Sequence, residues 1–429
     1  MLGQGVSATV KATTYNGRPA AVKNFFGRGD SFISENFILE VTILTKLNHP
    51  YVISLYGVEI DWHKERCRIF LPLGVMNLMQ LVEGEDNFDI REMGEQIALG
   101  LLYLQNMNIF HGDIKPENII VMEDLTPKIA DFGIAVLNAG TFAAMTQEAN
   151  TFHYKSPEIL LASGYDFSVY SWDFGLLMYF MKKGKNLFTV GNSVREQFMD
   201  IFEKIGGSDH WTDGQHRSFV LHGVHAYSFF AQSKFSSLTS NPLLNDLLHH
   251  TVTTNPENRL SLRSILEHKY FAVHTSSTVA DVSCLDQLQA NSVVVAIPDD
   301  ASLFAEILDR NQLVPYTDVY ACVFVTTVQI YSRFCAKRSD LTLRELVLPC
   351  LRLACAVCSE DFEWMMEELT ADEEDLGDLY FERYMQQSRL DEITEEILKT
   401  LNYDLWFTTD VDYARLEGED LLVVYDSLM

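Results

Sequence analysis

His111-Gly112-Asp113-Ile114-Lys115-Pro116-Glu117-Asn118, followed by Asp131-Phe132-Gly133, is the stretch on which the reading of this chain turns. It orders an Asp, a Lys and an Asn, then a second Asp before Phe-Gly. Moving a phosphoryl group onto a hydroxyl calls for those groups. A carboxylate must orient and deprotonate the attacking hydroxyl, a task that falls to Asp113. A cation must stand near the phosphoryl group, and Lys115 supplies it. Oxygen ligands must hold magnesium, and Asn118 and Asp131 are the candidates. Any one of these residue types is commonplace; the whole set in this order seldom arises by chance.

Upstream, Gly3-Gln4-Gly5-Val6-Ser7-Ala8-Thr9-Val10 reads as a turn between two strands whose glycines let the backbone close over phosphates. Two glycines at this spacing are more often just a hairpin, and the third glycine position holds Ala8. Ala20-Ala21-Val22-Lys23 adds a strand with one lysine inside an apolar run, at the spacing used to hold α- and β-phosphates. A lysine so placed is otherwise a paired structural charge. Glu40 lies on the inward stripe of the following helix and is its natural partner; the bland alternative is a solvated helix charge.

The chain has 429 residues, with 32 Lys and Arg against 60 Asp and Glu, a net charge of −28. Phosphate backbones are held by basic surface, so direct nucleic-acid binding is not expected. Hydrophobic residues at 47% and charged residues at 21% exclude a wholly disordered or collagen-like chain. No signal-peptide pattern opens the sequence, and no apolar stretch reaches the ~20 residues of a membrane helix. The expectation is an intracellular protein, cytoplasmic or nuclear, with no membrane partner. Six of the seven cysteines fall in 284–358 and read as buried small hydrophobes. Cys355-Ala356-Val357-Cys358 has metal-ligand spacing, but no second Cys or His pair lies nearby. The acidic run from Glu360 to Asp378 reads as a solvated face, with recruitment of basic partners as the other reading.

Period and punctuation divide the chain. Val10 to Thr14 and Arg18 to Asn24 read as strands about Tyr15-Asn16-Gly17, Phe32 to Leu47 as a helix stopped by Asn48-His49-Pro50, and Val52 to Ile60 and Cys67 to Leu73 as strands. From Asn77 to Phe271 the pattern is mainly helical: Ile90 to Gln105, Trp172 to Lys183, Val194 to Ile205, Pro242 to Thr251 and Ser261 to Tyr270. The fold class is therefore α+β and two-lobed over 1–271, with a strand-rich lobe over about 1–73 and a helical lobe over about 74–271. Residues 272–299, rich in Ser, Thr and Asp, read as a linker. Residues 300–429 read as an all-α domain, with helices from Tyr320 to Phe334, Leu343 to Cys358 and Asp391 to Leu401, and a short strand or docked tail at Leu421 to Tyr425.

In motif and order, Met1 to Phe271 resembles a eukaryotic-type protein kinase. The resemblance implies ATP and Mg2+ as cofactors and a protein bearing Ser or Thr as substrate. It puts Gly3, Gly5 and Val10 in the nucleotide-covering loop. Lys23 matches the strand lysine, Glu40 its ion-pair partner, Asp113 the catalytic base, and Asn118 and Asp131 the magnesium ligands. Glu158 in Ser156-Pro157-Glu158 and Arg259 match a buried structural pair. Lys115 and Thr151 fit the serine/threonine subgroup. Phe198 to Trp211 and Thr151 to Glu158 are similar to segments of the cyclin-dependent group. In that group Leu71 would gate the adenine pocket, Pro72, Leu73 and Gly74 would form the hinge, and Asn77 would sit at the ribose. Arg333-Phe334, Leu351 to Cys355, Glu392-Ile393 and Ile397 to Tyr403 look like a single cyclin box over roughly 300–416.

Three departures bear on mechanism. Gly112 stands where an arginine usually accepts an activation-loop phosphate, and the other two arginines of that pocket map to Leu39 and Val136. A phosphate on Thr146 would lack its cationic partners, so activity is expected not to require it. Tyr170 sits where an aspartate usually anchors the catalytic loop, with Asp173 as an uncertain substitute. Ala356 or Val357 stands where a cyclin box usually places a kinase-contacting lysine, which puts docking in the familiar mode in question. Even so, a linker of about 28 residues reaches roughly 90–100 Å, enough for the helical domain to meet the Phe32–Leu47 helix and activate its own kinase in cis. The rivals are a pseudokinase scaffold that binds partners without efficient phosphotransfer, and a helical domain that contacts cell-cycle, transcription or replication proteins instead.

Overall fold

The computed structural model describes residues 3–4, 8–27, 33–61, 64–84, 87–137, 153–161, 166–189, 193–206, 239–272, 330, 334, 337, 343–358, 387–403 and 405. The first layer is an antiparallel sheet in the order β1-β2-β3-β5-β4, made of β1 Gly3–Gln4, β2 Ala8–Tyr15, β3 Arg18–Phe25, β4 Gly57–Asp61 and β5 Arg66–Pro72. Asn16 and Gly17 both take positive φ, 49° and 77°, the two-residue turn whose twist matches that of paired strands. Helix α1, Glu35–Leu44, starts where the Ser34 side chain accepts the Phe37 N–H, and every residue from Phe37 to Leu44 is buried. It is shorter at both ends than the Phe32–Leu47 expectation.

Below the sheet come β6 Met76–Asn77, α2 Leu78–Glu83, α3 Ile90–Asn106, β7 Ile109–Phe110, β8 Ile119–Val121, β9 Pro127–Ile129, β10 Val136–Leu137, α4 Pro157–Leu160, α5 Val169–Lys183, α6 Val194–Ile205, α7 Pro242–Thr251 and α8 Leu262–Leu266. Helix α5 is buried all round from Val169 to Met181, because α3, α7 and α8 pack about it. β8 joins β6 and β9 in a three-stranded sheet, and β7 pairs with β10. These strands of two or three residues lie in the region read as mainly helical: they are too short to display a period of two, and the β6–β8 and β7–β10 pairings are remote in sequence. Two spans are also corrected. The strand expected over Val52 to Ile60 is confined to Gly57–Asp61, and the helix expected over Ser261 to Tyr270 ends at Leu266.

Beyond 272, α9 Leu343–Cys358 and α10 Gln387–Thr400 pack on each other, and α9 also lies against α1 and β10. Ile330 and Phe334 are helical and buried. One apolar cluster runs from the sheet through α3 and α5 to Leu353, Ile397 and Leu405. The polar heart of the α1 contact is Arg352. Its Nη1 donates to Asp391 Oδ1 at 2.5 Å, and its Nη2 donates to the carbonyl of Ile33, just ahead of α1. Thr45 Oγ1 donates to the Tyr403 carbonyl at 3.4 Å. The contact thus includes a buried cation, Arg352. The linker 272–299, except Ala272, and the Leu421–Tyr425 segment lie outside the described residues, as does most of the Tyr320–Phe334 helix.

Candidate active site

Strand β3 and helix α1 bring Lys23 and Glu40 together. Lys23 Nζ donates to Glu40 Oε2 at 2.6 Å and to Asp131 Oδ1 at 2.6 Å, so one ammonium bridges the helix and the Asp-Phe-Gly segment. Burial alone would depress the Lys23 pKa, yet the two carboxylates outweigh it and hold the pKa above its ordinary value. Glu40 is pushed up to about 7 by burial, because it shares its cation with Asp131. Desolvation opposes ionisation of Asp131, but the ammonium of Lys23 holds its carboxyl below the usual range. Asp131 takes φ 71°, a left-handed backbone that non-glycine residues seldom adopt. Asn36 Nδ2 adds a second tie by donating to the Gly133 carbonyl at 2.8 Å.

The loop from His111 to Asn118 is closed on itself. Lys115 Nζ lies 2.6 Å from Asp113 Oδ2, and Asn118 Nδ2 donates to Asp113 O at 2.8 Å and Asp113 Oδ2 at 2.9 Å. The Asp113 N–H donates to His111 Nδ1 at 3.2 Å, which leaves Nε2 to donate to the Ala130 carbonyl at 3.1 Å. Burial lowers the His111 pKa, in keeping with that neutral ring. Gly112 takes φ 79°, where an arginine would be strained. Tyr170, fully buried, accepts the His111 N–H at 2.9 Å and donates to the Ile109 carbonyl at 2.8 Å. Asp173 has no hydrogen-bond partner among the described residues; it lines a small cavity with Gly112, Asp113 and Lys155. Burial pushes its carboxyl well above the usual range, against the pull of Arg259.

The remaining candidates take the following places. Glu158 and Arg259 form a bidentate pair, at 2.5 and 2.9 Å, with the guanidinium 5.2 Å from the Trp172 ring. Gly3 pairs with Val10 in β1–β2, and Val10 lies opposite Lys23 in β2–β3. Leu71 is buried opposite Ala21; Leu73 and Gly74 follow β5 and precede Val75, whose N–H donates to the Val121 carbonyl at 2.9 Å. Asn77 caps α2, accepting the Gln80 N–H at 2.9 Å while the Gln80 side chain returns the bond at 3.0 Å. Gly5 and Thr146 lie outside the described residues. Leu39 is buried and Val136 half-buried. Among the described residues, no three His, Cys, Asp or Glu side chains cluster as metal ligands; Cys67, Cys350 and Cys355 are buried. Sequence reasoning passed over Asn36, although it stands one helical turn before Glu40 and so shares its face. It also left open the part played by Tyr170.

The family model described as protein kinase domain matches residues 1–271, and the chain belongs to that family. It is similar to cyclin-dependent kinase D-1 of Arabidopsis thaliana, 29% identical over 290 residues that cover 65% of this chain and 71% of that protein. Its class is that of a serine/threonine protein kinase related to the cyclin-dependent kinases, with a β-sheet lobe and a helical lobe. Among the described residues, no helix is long and apolar enough to cross a membrane.

Proposed function

We propose that this kinase transfers the terminal phosphate of ATP to a serine or threonine hydroxyl of a protein, and that its C-terminal helices hold it in the active arrangement in cis. The observation that carries the reading is the bridge from Lys23 to both Glu40 and Asp131, since it draws helix, strand and Asp-Phe-Gly segment onto one cleft. In this reading Lys23 holds the nucleotide's phosphates, with Glu40 steering it. Asp113 orients the acceptor hydroxyl and takes its proton, while Lys115 offsets charge beside it. Leu71, Leu73 and Gly74 flank the base, and Gly3, Gly5 and Val10 cover the phosphates. Asn77, already committed to capping α2, reaches the ribose only by sharing its amide.

Asn118 and Asp131 offer hard oxygen donors, which suits magnesium, and Asp131 is open to solvent where it meets Lys23. Bound there, magnesium supplies neutralisation of the charge on the transferring phosphates. Residues 300–429 are read as the cyclin-like unit and 1–271 as the kinase unit. Support for cis activation is the placement of α9 against α1 and β10, with Arg352 bonded to the Ile33 carbonyl. Radiolabelled phosphate transfer by full-length chain and by D113N tests the chemistry. Loss of transfer in D113N is expected; equal transfer, or none by either chain, favours the scaffold reading.

A further inference from the structure

We infer that the Tyr170 hydroxyl is the positioning group for the catalytic loop, a neutral replacement for the carboxylate that the resemblance leads one to expect there; the inference rests on the kinase reading above. The loop needs an external tether. Strand β7 has only two residues, Ile109–Phe110, and the glycine at 112 adds backbone freedom directly before Asp113. Tyr170 comes from α5, the helix buried on all sides, and is therefore a fixed point.

Its oxygen bridges two backbone groups, accepting from His111 N and donating to Ile109 O. A hydroxyl does both at once, whereas a carboxylate facing the Ile109 carbonyl would set acceptor against acceptor. Stacking of the ring on Phe110, with centroids 5.6 Å apart and planes 11° apart, fixes where the hydroxyl points. From Tyr170 the bonds run on through the His111 ring to the Asp113 N–H. A tyrosine buried only for packing would show no such continuity to the loop. Asp173, the other candidate, bonds to no backbone group of the loop among the described residues.

The test is Y170F in the full-length chain, with Y179F on the same helix as the control. In Y170F, kcat should fall about tenfold or more while KM for ATP stays within twofold of wild type. Amide hydrogen exchange at His111 to Asp113 should quicken at least tenfold, with core amides of α3 unchanged and Y179F behaving as wild type. Wild-type kcat in Y170F overturns the proposal. So does a kcat loss matched by lost ATP binding and faster exchange throughout α3, or a loss seen in D173N and not in Y170F. If Y170F does not accumulate, exchange in the wild-type chain decides: a slow His111 amide supports the tether, and a freely exchanging one overturns it. Absence of phosphotransfer in wild type would refute the kinase reading alone, since the exchange measurement still judges Tyr170.

Discussion

Removing Arg352 should uncouple the C-terminal helices from α1. Its guanidinium and the Asp391 carboxylate are 5% and 3% exposed and 2.5 Å apart, and the same guanidinium holds the Ile33 carbonyl. In R352M the buried Asp391 carboxylate loses its Arg352 partner, and breaking a buried pair costs about 3–5 kcal/mol. An equilibrium between docked and undocked helices would then move on the order of 10²- to 10³-fold towards the undocked form. Phosphate transfer is therefore expected to fall on the order of ten- to a hundredfold. The double variant R352M/D391L removes both charges, and apolar replacement of a buried pair is often neutral in stability. It should regain most of the lost stability but little activity, since the bond from Arg352 to the Ile33 carbonyl is not restored. Urea midpoints and transfer rates for the two single variants and the double close the cycle. A loss in R352M below about 1 kcal/mol, the range of exposed pairs, would refute the burial argument. Wild-type transfer by the double variant would refute the positioning argument.

Two further outcomes follow. Glu40 has a folded pKa of about 7 against an ordinary value of 4.5, so between those pH values the folded chain holds its proton more tightly than the unfolded chain. Stability contributed by this group falls as pH rises through that window. Asp131 acts with the opposite sign, its contribution being lost as pH falls below its ordinary 3.8. Wild type should therefore lose stability relative to E40Q between pH 5 and pH 7, as read from denaturant midpoints at each pH; parallel curves would refute the assignment. T146A should retain phosphate transfer within about twofold, and a large loss with nucleotide binding intact would show that a phosphate there matters.

The residues that meet at the candidate site were legible because each belongs to a short local motif: Lys23 to its apolar strand, Asp113 to Asn118 to a single run, Asp131 to Asp-Phe-Gly. The pairing of Glu158 with Arg259 followed from the family resemblance and is bidentate in the fold. What sequence could not carry was contact between remote elements. Strands β6, β7 and β10 pair with distant partners, and Tyr170 could be identified as a departure but not as a bridge, since its partners at 109 and 111 lie on another element. Arg352 was missed for a similar reason. The kinase-contacting cation was sought at 356 or 357, whereas the side chain that reaches Ile33 stands one turn earlier on the same face of α9.

The three positions where phosphate-binding arginines would stand argue for the same helix. Leu39 is buried within α1, Gly112 has no side chain to offer, and Val136 lies in β10. A dianion brought among them would lose its hydration and gain no cation from these three residues, a cost of several kcal/mol. In the proposed reading, ordering of α1 and of the segment after Asp131 comes from packing, and both elements are touched by α9. Lys23 is the point at which that packing meets the chemistry. Its ammonium is shared between α1 and the Asp-Phe-Gly segment, so displacement of either element leaves a buried carboxylate or a buried ammonium short of its partner. In the proposed reading, a helix packed against both elements would take the place of an activation-loop phosphate, acting through Ile33 and β10.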